Sequence, residues 1–238
     1  MRRRGTDAAA APRGILRFVL AERVAHWLYA LLFLVCLVSG LLMWIPATRE
    51  WMGGARLGVS QRHAAAGFAM VVLPLLLMVI LDRRRLARGI RQIDRWSADD
   101  RRWFWAFLAG GSLRSRAMPP QGRFNAGQKA NTILVAAMAV GFAITGGLLL
   151  GKAGLPAWLV SRALWLHGFL AIAGMALLAG HLAQALLTRH GRASLKAILG
   201  GRLSEEVARE RHAVWWAERA GADGGEDPGA DRGGYDDG

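Results

Sequence analysis

The stretch that decides the fold runs over residues 163–187 and reads ALWLHGFLAIAGMALLAGHLAQALL. It contains no Asp, Glu, Lys or Arg, and it is long enough for an α-helix to cross the ~30 Å of a hydrocarbon core. Its only ionisable side chains are His167 and His181. Fourteen positions at 1.5 Å rise separate them by roughly 21 Å along the axis, and at ~100° per residue both fall within about 40° of one helix face. A single apolar helix therefore presents two imidazoles on one stripe, one near each end.

Three more apolar runs occupy residues 24–44, 64–81 and 130–150. Backbone groups in lipid must be satisfied within their own segment, so each run is expected to be a helix. The chain of 238 residues carries a net charge of +14, distributed unevenly. Residues 1–23, 82–126 and 188–238 hold six, eleven and eight Lys plus Arg, whereas 45–62 and 151–162 hold three and two. The basic segments alternate with the poor ones as cytoplasmic and external connections do, which places both termini and the long middle loop inside. This is read as a topology signal, with nucleic-acid binding the weaker alternative. The fold is read as all-α: an integral membrane four-helix bundle with helices at about 21–45, 60–82, 127–151 and 162–188. The long first apolar run, without an A-x-A-like cleavage site, reads as an uncleaved signal-anchor helix.

Outside the spans, Ser97 with Asp100 has the spacing of a capping box, followed by Trp103, Phe104, Trp105, Phe107 and Leu108. That pattern predicts a short helix lying in the interface. A second amphipathic segment is expected over 194–216. Residues 1–20 are expected to form a flexible cytoplasmic arm and residues 218–238, rich in Gly and Asp, a disordered tail. The membrane domain is therefore 21–217. Cys36 is the single cysteine, which excludes an intrachain disulfide, a Cys-ligated cluster and a C-x-x-C-H attachment site.

Two further histidines stand at the ends of apolar runs. His26 begins the first and His63 the second. Because the helices alternate in direction, His26 matches the depth of His181, and His63 that of His167. Ionisable side chains within a membrane are costly and usually functional. Paired imidazoles on facing helices suit haem iron, and two per iron leave no open position for oxygen or substrate. The reading is two non-covalent b-type haems, held by His26/His181 and by His63/His167. The alternatives are histidines that only hydrogen-bond within the bundle, or a zinc or copper path. His190 and His212, in the basic C-terminal region, are read as ordinary solvent or interface residues.

The segment RFNAGQK, residues 123–129, lies at the depth of the His26/His181 pair. Carboxamides there suit a quinone in both redox states, and Gly127 lets a ring approach. Equally, Asn125 suits the N-cap of the third long helix, with Gln128 facing solvent.

The ERVAHW of residues 22–27, RFNAGQK, the LHGFLA around His167, the GH at His181 and the pattern from Ser204 through Trp216 occur in this order. Together they resemble the gamma subunit of respiratory formate dehydrogenase, a membrane cytochrome b, over about residues 15–218. The chain departs from that pattern at Ala64, where a Pro is common, and at Leu182 and Ala183, where an aromatic residue is common. The resemblance implies a four-helix di-haem fold with haem ligands at His26, His63, His167 and His181. It also implies quinone-site residues at Asn125, Gly127 and Gln128, with His181 alongside. It implies an iron–sulfur beta subunit and, through it, a molybdopterin or tungstopterin alpha subunit that oxidises formate, in a bacterial inner membrane engaged in anaerobic respiration. The quinone is menaquinone or ubiquinone. Rival readings are the same relay in a nickel–iron hydrogenase, and a cofactor-free scaffold or metal transporter.

Overall fold

The computed structural model describes residues 14–110 and 118–223. Four long helices are apolar enough to cross a membrane: α1 (Leu20–Trp44), α3 (Arg56–Asp94), α5 (Ala126–Leu150) and α6 (Ala157–Leu187). Between α1 and α3 a short helix, α2 (Pro46–Met52), begins on Pro46 and ends at Gly53, whose φ of 46° suits a residue without Cβ. Large apolar side chains point outward along all four spans, Leu31, Phe68, Ile144 and Leu164 among them, as a lipid-facing surface requires. Trp44, Trp51, Trp158 and Trp165 are exposed at one end of the bundle.

α3 is longer than its apolar run because it is two helices joined at a break. Asp82 leaves helical geometry, and its carboxylate accepts a hydrogen bond from the Arg85 N–H at 2.8 Å, starting a second helix. The break falls where the expected span ended, so the Arg-rich continuation lies beyond the apolar segment. α6 starts five residues before its expected first residue, immediately after Pro156, which ends the preceding turn and opens the helix.

The short helix expected after Ser97 is α4 (Ala98–Leu108). Ser97 and Asp100 cap it reciprocally, at 3.2 Å to the Asp100 N–H and 2.7 Å from the Ser97 N–H. Asp100 also accepts from Lys129 at 2.9 Å, tying α4 to α5. Burial pushes the Asp100 carboxyl up, but the Ser97 N–H and the Lys129 ammonium outweigh it and hold it below the usual carboxylate range.

Two expectations outside the spans are corrected. The arm over 1–20 is ordered from residue 14: β1 (Gly14–Leu16) pairs antiparallel with β2 (Arg202–Ser204). Residues 1–13 lie outside the described residues. The amphipathic segment expected over 194–216 is divided among four elements. It comprises α7 (Arg189–Gly200), β2, α8 (Glu205–Arg211) and α9 (Ala213–Asp223). Gly201, at φ 86°, ends α7 and turns its carbonyl onto the N–H groups of Arg17 and Phe18. Finally, α9 runs past the expected start of the tail at 218, and of that tail residues 224–238 lie outside the described residues. Ala197, Leu203, Ala208 and Trp215 form a small core with Ile15 and Phe18. The chain's two terminal regions thus close together over one end of the bundle, termed here the basic end.

α1 packs chiefly on α3, α5 on α6, and α3 on α5. α6 meets α1 and α3 mainly through side chains, its histidines included.

Candidate functional site

The four membrane histidines come together as two pairs. His63 of α3 faces His167 of α6, with ring centroids 6.1 Å apart, at the end away from the basic cap. At the basic end, His26 of α1 faces His181 of α6 at 6.4 Å. His26, His63 and His167 are half-buried and His181 is exposed. Two helices measure the same separation between pairs. His167 and His181 are about 21 Å apart along α6, and on α1 Ser39, which touches His63, is about 20 Å from His26.

Each ring of the far pair meets a hydroxyl. Ser39 Oγ lies 2.9 Å from His63 Nδ1, and Thr145 Oγ1 lies 2.8 Å from His167 Nδ1. The sequence reading passed over both residues, because one hydroxyl in an apolar helix is unremarkable in one dimension. Their signal was a shared dipeptide form, Ser39-Gly40 and Thr145-Gly146.

Asn125, Gly127 and Gln128 stand at the basic end, at the start of α5. Asn125 caps the helix: its Oδ1 accepts from the Gln128 N–H at 2.9 Å, and Gln128 Oε1 accepts from the Asn125 N–H at 3.1 Å. Gln128 does not simply face solvent, since Oε1 also accepts from Arg17 at 3.0 Å. Both carbonyl oxygens are committed. Among the described residues neither carboxamide nitrogen donates a hydrogen bond, so two NH₂ groups stay free. Gly127 has a partner of its own. A Cβ there would lie 2.7 Å from Trp103 Cη2, so the ring it admits within this chain is the α4 indole.

A buried ionic network underlies this corner. Arg17 is fully buried and donates to the Arg123 carbonyl (2.8 Å) as well as to Gln128. Arg123 Nη2 donates to both Glu22 carboxylate oxygens at 2.7 Å, and Arg85 lies 3.4 Å from the same carboxylate. Burial, and then the neighbouring Arg123 charge, bring Arg17 down to about 9. Burial also lowers Arg123, opposed by Glu22. His212, expected to be an ordinary solvent or interface residue, is 3% exposed, with Nδ1 2.7 Å from the Gly122 carbonyl. Burial, and next the Arg17 charge, push it down to about 3.

Chemically, each histidine pair offers two neutral nitrogen donors. Two imidazoles across one metal ion, with bonds of about 2.0–2.1 Å, have centroids roughly 6–6.5 Å apart. Both observed separations, 6.1 and 6.4 Å, fall within that range. Among the described residues no cluster of three or more His, Cys, Asp or Glu is placed for a metal ion, so a pairwise arrangement is what the spans present.

A family model described as prokaryotic cytochrome b561 matches residues 17–201, and the chain belongs to that family. No curated protein matches it. Membership makes this a membrane electron-transfer subunit of the cytochrome b561 type and implies haem b.

Proposed function

We propose that this cytochrome b561 relays electrons for a respiratory formate dehydrogenase, from an iron–sulfur partner at the His63/His167 end to a quinone at the basic end. The carrying observation is the pairing of four histidines at two levels about 20 Å apart, each pair at the spacing of two donors on one iron. Two b-type haems, when bound, would supply one-electron iron couples at those levels. His63 and His167 would hold one and His26 and His181 the other, and haem held between two histidines would supply electron transfer rather than oxygen chemistry.

The Arg-rich basic end lies in the cytoplasm, following the charge bias of its connecting segments, and the membrane is the bacterial inner membrane. The free NH₂ groups of Asn125 and Gln128 offer donors to quinone carbonyl oxygens, with His181 nearby in depth and Gly127 seating Trp103 beside them. The product carries two cytoplasmic protons. Moving each electron inward opposes the membrane potential by ~2.3 kcal/mol per 100 mV, which a low-potential donor such as formate is able to drive. RFNAGQK favours formate dehydrogenase over the nickel–iron hydrogenase relay of the same general form.

The test is haem content per chain, by reduced-minus-oxidised absorbance of the purified complex, for the native chain and for His63→Ala. Two haems falling to one are expected; absence of b-type bands in the native protein overturns the reading. Co-purification with a molybdopterin oxidoreductase is expected, and a nickel–iron hydrogenase in its place would reassign the partner.

A further inference from the structure

The hydroxyls beside the far pair are oriented by their own hydrogen bonds. Ser39 Oγ lies 2.6 Å from the Val35 carbonyl, one turn back, as well as 2.9 Å from His63 Nδ1. Thr145 Oγ1 lies 2.7 Å from the Gly141 carbonyl and 2.8 Å from His167 Nδ1. A hydroxyl has one proton, and a carbonyl only accepts. The proton therefore goes back to the helix backbone, a common use of Ser and Thr in helices. Each hydroxyl oxygen is left as the acceptor, so the ring must donate. Nδ1 carries the hydrogen, and Nε2 carries the lone pair that a metal needs.

The device occurs twice on two different helices. The residue after each hydroxyl is a glycine lying against the same ring. A Cβ at Gly40 would meet His63 Cε1 at 3.4 Å, and one at Gly146 would meet His167 Cε1 at 3.8 Å. Hydroxyl and glycine together grip the Nδ1–Cε1 edge and leave the Nε2 edge free. Thr145 is 2% exposed, so its bond to the ring is shielded from competing water. Among the described residues no hydrogen bond reaches a ring nitrogen of His26 or His181.

We propose that Ser39 and Thr145 are positioning residues that fix the tautomer of His63 and His167 and lower the reduction potential of the iron these rings share. The inference rests on the reading that His63 and His167 ligate one haem. An imidazole that donates its Nδ1 proton is a more basic ligand, and a hydrogen bond to the far nitrogen of a ligating histidine is one of the means by which a protein sets a haem potential. A stronger donor favours ferric iron. The two hydroxyls stand only at the end where electrons would enter, so a lowered potential there favours onward transfer toward the basic end.

The experiment is a spectroelectrochemical titration of the full chain in its complex, with haem quantified per chain. S39A and T145V remove the acceptor, while S39T and T145S keep it. In S39A and T145V one of the two haem waves is expected to move to higher potential while the other stays. The double variant should move further, and S39T and T145S should titrate as the native protein does. If a haem is lost from S39A or T145V, its return in S39T or T145S supports the assignment, and its loss there too overturns it. Retention of both haems with neither wave displaced, or equal displacement in the hydroxyl-retaining variants, also overturns it. H63A separates the two levels: two haems retained in H63A refute the ligand reading itself, whereas one haem lost there with unmoved waves in S39A refutes only the role of Ser39.

Discussion

Gly127 of α5 lies so close beneath Trp103 of α4 that a Cβ on the glycine would stand 2.7 Å from the indole Cη2. Trp103 is 8% exposed and stacks on Phe107, with centroids 5.2 Å apart. The indole therefore cannot simply swing away. Gly127→Ala is expected to destabilise the protein by about 1–3 kcal/mol, the usual cost of overpacking, and to release α4 from α5. Thermal unfolding in detergent and tryptophan fluorescence check this; an unchanged midpoint and spectrum would show that the contact is not tight.

Glu22 accepts from Arg123 and faces Arg85, with all three side chains largely buried. Glu22→Gln removes the only carboxylate of this group and leaves two guanidinium groups facing each other. The expected loss is on the order of 3 kcal/mol, as for breaking one partner of a buried ion pair. Unfolding of the purified variant measures it, and a loss below 1 kcal/mol would mean that solvent screens the pair.

His212 gives the terminal cap a pH dependence. Its folded-state value, about 3, lies below the ordinary imidazole value of 6.5. The folded state excludes a proton that the unfolded segment takes up. Stability is therefore complete above about pH 6.5 and declines as pH falls toward about 3. Amide-exchange protection factors over Ala213–Asp223, referred to the intrinsic rate at each pH, should fall through that window in the native chain, and much less in His212→Gln. Identical profiles for the two chains would remove His212 as the cause.

Gln128 links the cap of α5 to Arg17 and, in the proposed function, to quinone. Gln128→Ala should slow quinone reduction by roughly 5- to 150-fold while both haems stay bound and reducible by the partner, the loss of one donor in a half-buried polar site being worth ~1–3 kcal/mol. Stopped-flow haem oxidation by added quinone measures this; native kinetics would exclude Gln128 from the site.

Much of the architecture is legible along the chain because lipid imposes local conditions. Length, apolarity and the absence of charge identify a spanning helix without reference to its neighbours, which is why α1 and α5 begin and end within a residue of expectation. The depth match of His26 with His181 and of His63 with His167 follows from helix rise and alternating direction alone. The Ser97–Asp100 cap is likewise a local pattern.

Contacts between helices depend on rotation and on side chains far apart in sequence. Three such features were decided only when the helices packed: Ser39 and Thr145 turned toward the far imidazoles, Trp103 filled the space over Gly127, and Arg17 became buried under a cap made from both termini. Helix periodicity sets which residues share a face, but not which way that face turns. The sequence by itself determined the spans and the levels of the four histidines, since both depend on distance along one helix. The hydrogen bonds that orient those histidines, and the closing of the basic end, came from tertiary structure, because each joins groups that only the packed bundle brings within 3 Å.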